Sequence, residues 1–250
     1  MPIDRLKLIA DFHKDAPRQG PGADDQTERA LSYVGSLGAD ARIIDIGCGT
    51  GAQTMTLARS TAGQITAIDR LPAFLGRLAE KVSTHGLGNR VRPVCASMFH
   101  LPCADGTFDL IWAEGSIYII GFEKGLREWR RLLKPGGYIA VSEISWLTDS
   151  RPAEVEDHWV ADYAEIDTIE NKLAVVEASG YTLIAHFVLP ERCWTENYYA
   201  PILARSEDFL RRYDYRDEVR EFVEAGREEA AIYDRYKDYF SYVFYIAQKN

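Results

Sequence analysis

The feature that most constrains this chain is a short apolar run, Arg42-Ile43-Ile44-Asp45-Ile46, that breaks into Gly47-Cys48-Gly49-Thr50-Gly51. Glycines at alternate positions let a backbone turn sharply and approach another group closely at a strand's carboxyl end. The residues that follow, 53–60, have helical spacing, with Met55 and Ala58 on one face. The segment predicts a strand, a tight turn and a helix.

The pattern recurs along the chain. Runs at 64–69, 91–97, 108–115 and 137–145 read as strands, with helices predicted from about 75 to 86 and over Lys124 to Leu133. The turn signal Lys134-Pro135-Gly136-Gly137 bounds the fifth strand. Strands alternating with helices imply a parallel sheet covered on both faces. Beyond Ser145, helices are expected at about 152–164 and 168–179, then a β-rich run at 181–190. A second helical pair, about 195–212 and 216–236, precedes a last strand beginning at Tyr239. The expected fold is a doubly wound, seven-stranded, mostly parallel α/β sheet, with the last strand antiparallel and a helical insert between the last two strands. Residues 25–250 are read as one domain with a cap insert at about 191–237, and residues 1–24 as a lid segment. A helix is expected from Asp25 to Leu37, capped by Asp24 or Asp25.

With 250 residues, 46% of them hydrophobic, one sizeable core is affordable. A formal net charge of -9 is an unfavourable background for nucleic acid, which demands clustered Lys and Arg. The most basic run, residues 127–134, reads as the solvated face of an outer helix. Cys48, Cys95, Cys103 and Cys193 lack the close spacing of a zinc site, so no metal is expected and the thiols read as reduced. No stretch approaches the roughly 20 apolar residues that cross a bilayer, and the amino-terminal residues carry charge throughout. These readings together predict a cytoplasmic protein, monomeric or homodimeric, with neither nucleic acid nor membrane as partner.

The glycine turn is compatible with two nucleotide cofactors. Gly47, Gly49 and Ala52 fit the G-x-G-x-x-A pattern of nicotinamide dinucleotide sites. Asp69 ends the next strand, where a ribose diol offers two hydroxyl donors to a carboxylate, and both cofactors carry that diol. Asp45 favours the other candidate, a sulfonium nucleoside with a methionine tail. A carboxylate just before the first glycine repels a pyrophosphate, whereas it attracts the ammonium of a methionine tail.

On these residues the chain resembles the class I S-adenosylmethionine-dependent methyltransferases. Further blocks agree in order and spacing: Ala67-Ile68-Asp69, residues 97–102, residues 105–118 and residues 132–143. The resemblance covers about residues 25–145. It implies that Asp45 with Gly47, Cys48, Gly49 and Gly51 holds the methionine end of S-adenosylmethionine, whose product is S-adenosylhomocysteine. It further implies that Asp69 holds the ribose, Leu71 the adenine face, and Ser97 with Met98 the adenine edge. Many relatives carry Asp where this chain has Ser97, so adenine recognition is expected to lean on the Met98 amide.

A sulfonium methyl is already activated, so the protein must chiefly align the acceptor and exclude water. Where a base is needed, the candidates by position at strand ends are Glu114, Tyr118 and Glu143, with Ser116 nearby. Glu114 also serves as a candidate for the cofactor amine. His13 lies in the lid, and late aromatic residues such as Tyr198, Tyr199 and Tyr242 are divided between core packing and an acceptor wall. The expected function is methyl transfer to a small-molecule acceptor. The alternatives are an RNA or protein methyltransferase and a cofactor-binding module without transfer.

Overall fold

The computed structural model describes residues 3–250. Its central sheet contains β1 (Arg42–Ile46), β2 (Gln64–Asp69), β3 (Val91–Cys95), β4 (Phe108–Glu114), β5 (Leu133–Trp146), β6 (Asp167–Thr168), β7 (Tyr181–Val188) and β8 (Phe240–Lys249). Along the sheet the order is β3-β2-β1-β4-β5-β8-β7, with the two-residue β6 pairing β5 off that path. The strands β1 to β5 pair in parallel, and β8 runs antiparallel to both β5 and β7. The mostly parallel sheet with an antiparallel last strand is therefore as the periodicities predict; β6 is an eighth strand too short to leave a pattern of its own.

The alternation of the pleat decides what each strand residue faces. In β1, Ile43 belongs to a core shared with Met55 and Leu57 of α3 (Ala52–Ser60) and Leu78 of α4 (Pro72–Thr84). Ile44 and Ile46 belong to the other core, with Phe122 and Leu126 of α5 (Phe122–Trp129) and Val176 of α7 (Ile169–Ala178). Both faces are apolar because both are covered.

The amino-terminal helix α1 (Arg5–His13) stands apart from those two cores. Its Leu8 and Phe12 pack on Ile202, Phe209, Val219 and Val223. These come from α9 (Ala200–Arg212) and α10 (Asp217–Tyr236), which lie between β7 and β8 together with α8 (Arg192–Trp194) and a π-helical turn, Thr195–Tyr199. The insert occupies the expected part of the chain, and α1 is its packing partner. The helix α2 (Asp24–Leu31) ends earlier than expected, because Ser32 follows it as a cap and the chain then runs through Gly35 and Gly38 to β1. Asp24 and Asp25 are not its caps: Ala23 holds that position without a side-chain bond, and both aspartates lie in the first turn. There Asp24 is drawn to Arg18 and Arg59, and Asp25 to Arg192.

Candidate active site

A cavity of about 380 Å³ opens where β1, β2 and β4 end. Adjacent parallel strands terminate there and their connections diverge, which is where open α/β sheets collect ligands. The glycine turn forms one side. Ile68 O accepts from the amides of Gly47 at 2.8 Å and Cys48 at 2.9 Å, pinning the turn to β2. Gly47 adopts φ +77°, and a Cβ there would lie 2.5 Å from the Cβ of Ser116, so only glycine fits between the two loops. Ser116 completes the junction by donating to Ile46 O at 2.7 Å. Gly51 does not line the cavity; it begins α3 at φ +84° and packs on Leu78.

Asp69 stands at the tip of β2 and lines the cavity. Gly49 N donates to its Oδ2 at 3.0 Å and Leu71 N to its Oδ1 at 2.9 Å. Each carboxylate oxygen retains a lone-pair direction for a ligand hydroxyl. Burial raises its pKa, opposed by those amides. Leu71, Phe74, Ile68 and Met98 supply apolar wall, with Ser97 beside them. Ser97 Oγ accepts from Phe99 N at 3.3 Å, so its hydroxyl is partly engaged in its own turn.

The three carboxylates Asp45, Glu143 and Glu114 depart from expectation in the structure. Asp45 is wholly buried and absent from the cavity lining. It shares the face of Ile43 and turns toward α3, where Thr54 Oγ1 donates at 2.5 Å and Gln53 Nε2 at 3.3 Å. Burial pushes its pKa up to about 7, against those two donors. Its carboxyl is placed to hold the amino-terminal turn of α3, while the Gln53 side chain lies between it and the cavity.

Glu143 belongs to the opposite face. Register pairs Glu114 with Ser142, so Glu143 alternates away from the cleft, toward α5 and α7. There it is fully buried, Lys172 Nζ donates to its Oε1 at 3.0 Å, and it does not line the cavity. Glu114 does line the cavity but is not a free base. Arg18 Nη1 donates to its Oε2 at 3.0 Å, and Thr27 Oγ1 and Trp112 Nε1 donate to its Oε1 at 2.6 and 2.9 Å.

Tyr118 lines the cavity beside Ile119, Phe99 and Leu6, and the residue is 40% exposed to solvent. Burial of its hydroxyl end and the carboxylates of Asp162, Glu229 and Glu143 push its pKa up to about 12. As a neutral phenol it serves better as a donor than as a base. His13 lies on the far side of α1 and does not line this cavity.

Two functional groups were missed by sequence reasoning. Arg18, only 9% exposed, bonds Glu114 and Asp24 and presents its guanidinium to the cavity. Gln19 Oε1 accepts from Thr50 N at 2.8 Å, while its Nε2 donates to His13 O at 3.1 Å. The segment Arg18-Gln19-Gly20-Pro21 thus closes over the glycine turn. The signal available was a lone Arg-Gln pair before Gly-Pro-Gly, which has no period or partner spacing to mark it.

The basic run 127–134 lies away from the cavity with acidic partners alongside: Arg127 pairs with Glu123, Arg131 with Asp105 and Lys134 with Asp109. Among the described residues no helix is long and apolar enough to cross a membrane.

Residues 43–137 match the family model described as "Methyltransferase domain". The methyltransferase GfsG of Streptomyces halstedii is 33% identical over 153 residues, covering 59% of this chain and 55% of that protein. The chain spans about half the length of the curated relatives it matches. Among solved structures, a SAM-dependent methyltransferase from Thiobacillus denitrificans in complex with S-adenosylhomocysteine superposes with a TM-score of 0.83 at 20% identity, covering 100% of both chains. The [4+2]-cyclase SpnF superposes with a TM-score of 0.79 at 24% identity, covering 98% of this chain and 92% of that one.

Proposed function

We propose that this chain, which carries a methyltransferase domain on the class I, Rossmann-like fold, transfers a methyl group from S-adenosylmethionine to a small-molecule acceptor. One observation carries the reading: a single cavity brings together a glycine cradle, a strand-tip carboxylate and a buried guanidinium. The cofactor is a nucleoside bearing a diol at one end and an amino-acid zwitterion at the other. Asp69 is placed to receive the diol, and Leu71, Phe74 and Met98 to wall the base. Arg18 and Glu114 are placed to meet the carboxylate and the ammonium respectively, a charge pair that matches the zwitterion. A dinucleotide fits less well, because a pyrophosphate beside Gly47 would meet two carboxylates, Glu114 and Asp69, against the one guanidinium of Arg18.

When bound, the cofactor supplies the methyl group as an activated sulfonium. The protein's work is then to orient the acceptor and exclude water. Leu6, Ile9, Phe99 and Ile119 form an apolar mouth suited to that exclusion, with residues 3–24 of the expected lid 1–24 acting as that lid, residues 1 and 2 lying outside the described residues, and residues 191–237 as a cap on one domain, 25–250. Tyr118 is placed to orient an acceptor through its phenol. Glu114 acts by binding, and Glu143 by holding Lys172. A net charge of -9 and acid-paired cations on α5 favour a small acceptor over RNA. The four thiols are free, in keeping with a cytoplasmic enzyme.

Two measurements test the proposal. Calorimetry is expected to show S-adenosylhomocysteine binding with no comparable response to NAD. Incubation with methyl-labelled cofactor and a metabolite extract is expected to label a small molecule. NAD binding without response to S-adenosylhomocysteine refutes the cofactor. Cofactor binding with no transfer to any acceptor favours instead a module that uses the pocket without transferring methyl, a reading prompted by the fold's likeness to a cyclase.

A further inference from the structure

Helix α1 is a partition between two hollows. Leu6 and Ile9 face the cleft at the strand tips, whereas Leu8, Phe12 and His13 turn the other way. On that side α1, α9, α10, the π-helical turn and α6 (Ala153–Asp162) border a second hollow of about 660 Å³ that is open to solvent on one side, within the usual range for small-molecule sites.

Its lining combines rings with an excess of carboxyl groups, Asp162, Glu218, Glu221, Glu228 and Glu229 against the guanidinium of Arg5. Phe12, Phe222, Tyr198 and Tyr199 supply the rings. Tyr199 Oη donates to Glu229 at 2.9 Å, and among the described residues neither Glu229 nor Asp162 is ion-paired. Burial pushes Glu229 up to about 7, with Asp162 adding to the rise and the Tyr199 hydroxyl opposing it. Arg205, behind the Phe12 ring, donates to Pro201 O and Phe12 O and leaves those acids alone. His13 brings no positive charge: burial, with Arg205 nearby, lowers it to about 4, and its buried Nδ1 has no hydrogen-bond partner. Tyr118, which lines the cleft, packs edge-on against Tyr163 with ring centroids 5.9 Å apart, and Tyr163 is next in the chain to Asp162 of the hollow.

We propose that this second hollow binds the ammonium end of an amine-bearing methyl acceptor, held between the Tyr and Phe rings and the carboxylates of Glu229 and Asp162, while the rest of the acceptor reaches the cleft past Tyr118. Aromatic faces and unpaired carboxylates together select a cation over a neutral hydroxyl compound. The word acceptor rests on the methyltransferase reading; the cation site does not.

Calorimetry on the full chain with octylamine, 1-octanol and octanoate at pH 7.5 tests this, with S-adenosylhomocysteine titrated separately. Octylamine is expected to bind at least tenfold tighter than either analogue. The Glu229→Gln, Asp162→Asn double variant is expected to lose at least tenfold for octylamine, with octanol and S-adenosylhomocysteine unchanged. Equal binding of amine and alcohol, or an unchanged double variant, overturns the site. Should the double variant fail to fold, the amine-to-alcohol ratio of the unaltered protein and its decline with added salt decide the matter. S-adenosylhomocysteine binding without amine binding overturns this inference alone. Amine binding without S-adenosylhomocysteine binding keeps the cation site and removes the acceptor role.

Discussion

Replacing Arg18 by methionine separates two roles of one guanidinium. Arg18 and Glu114 lie 3.0 Å apart and are 9% and 5% exposed, so neither charge has much water left. Removing one partner of a pair buried this deeply costs about 3–5 kcal/mol, because the other charge remains uncompensated. The second pair, to Asp24 at 57% exposure, adds at most about 1 kcal/mol. In Arg18→Met, Glu114 keeps only its Thr27 and Trp112 donors. Adding Glu114→Gln removes the stranded charge while preserving an acceptor for those donors, so the double variant is expected to recover most of the lost stability. Cofactor affinity should behave differently. If Arg18 also meets the cofactor carboxylate, S-adenosylhomocysteine binds about 10- to 100-fold more weakly to the single variant, the worth of one charged hydrogen bond, and more weakly still to the double variant, which also lacks the Glu114 carboxylate for the ammonium. Urea unfolding gives the stabilities, calorimetry gives the affinities, and Glu114→Gln alone closes the cycle. A single variant within about 0.5 kcal/mol of the parent would refute the buried-pair reasoning. Affinity restored in the double variant would refute the binding role and leave Arg18 a counterion only.

Three further outcomes are expected. Asp69→Ala should weaken S-adenosylhomocysteine by about 1.5–3 kcal/mol, through loss of the diol acceptor and of the bonds from Gly49 N and Leu71 N; unchanged calorimetric affinity in a folded variant would exclude the ribose role. Asp45, raised from 3.8 to about 7, stays protonated in the folded state over a range where the unfolded chain ionises, so it lowers stability as pH rises from about 4 to about 7 and no further above that. At about 1.4 kcal/mol per tenfold the effect is on the order of 4 kcal/mol. Asp45→Asn should therefore gain on the parent between pH 4.5 and 8 in urea titrations, and parallel pH profiles would disprove the buried carboxyl. Lys172→Met should destabilise the fold by about 3–5 kcal/mol by stranding Glu143, yet leave S-adenosylhomocysteine affinity within twofold; a large loss of affinity would return Glu143 to the site.

What the amino-acid order determined was set by local rules. The change from period two to helical period located the strands and helices. The alternate glycines marked a turn that no side chain fits, and Asp69 followed at the offset of a neighbouring strand tip. The insert showed itself as two helical stretches between apolar runs.

The tertiary structure decided which way the carboxylates face and what closes over them. Asp45, Glu114 and Glu143 all belong to strand carboxyl ends, and composition treats them alike. Pleat parity and pairing register put Glu143 on the far face, against Lys172, while Asp45 and Glu114 share the other face, where Asp45 bonds α3 and Glu114, one step nearer the strand tips, meets the cleft. Register is a relation between strands far apart in sequence, so no local pattern encodes it. The same holds for Arg18, whose importance comes from a carboxylate 96 residues away. It holds too for the second hollow, whose walls come from both ends of the chain and become neighbours only when α1 packs on the insert.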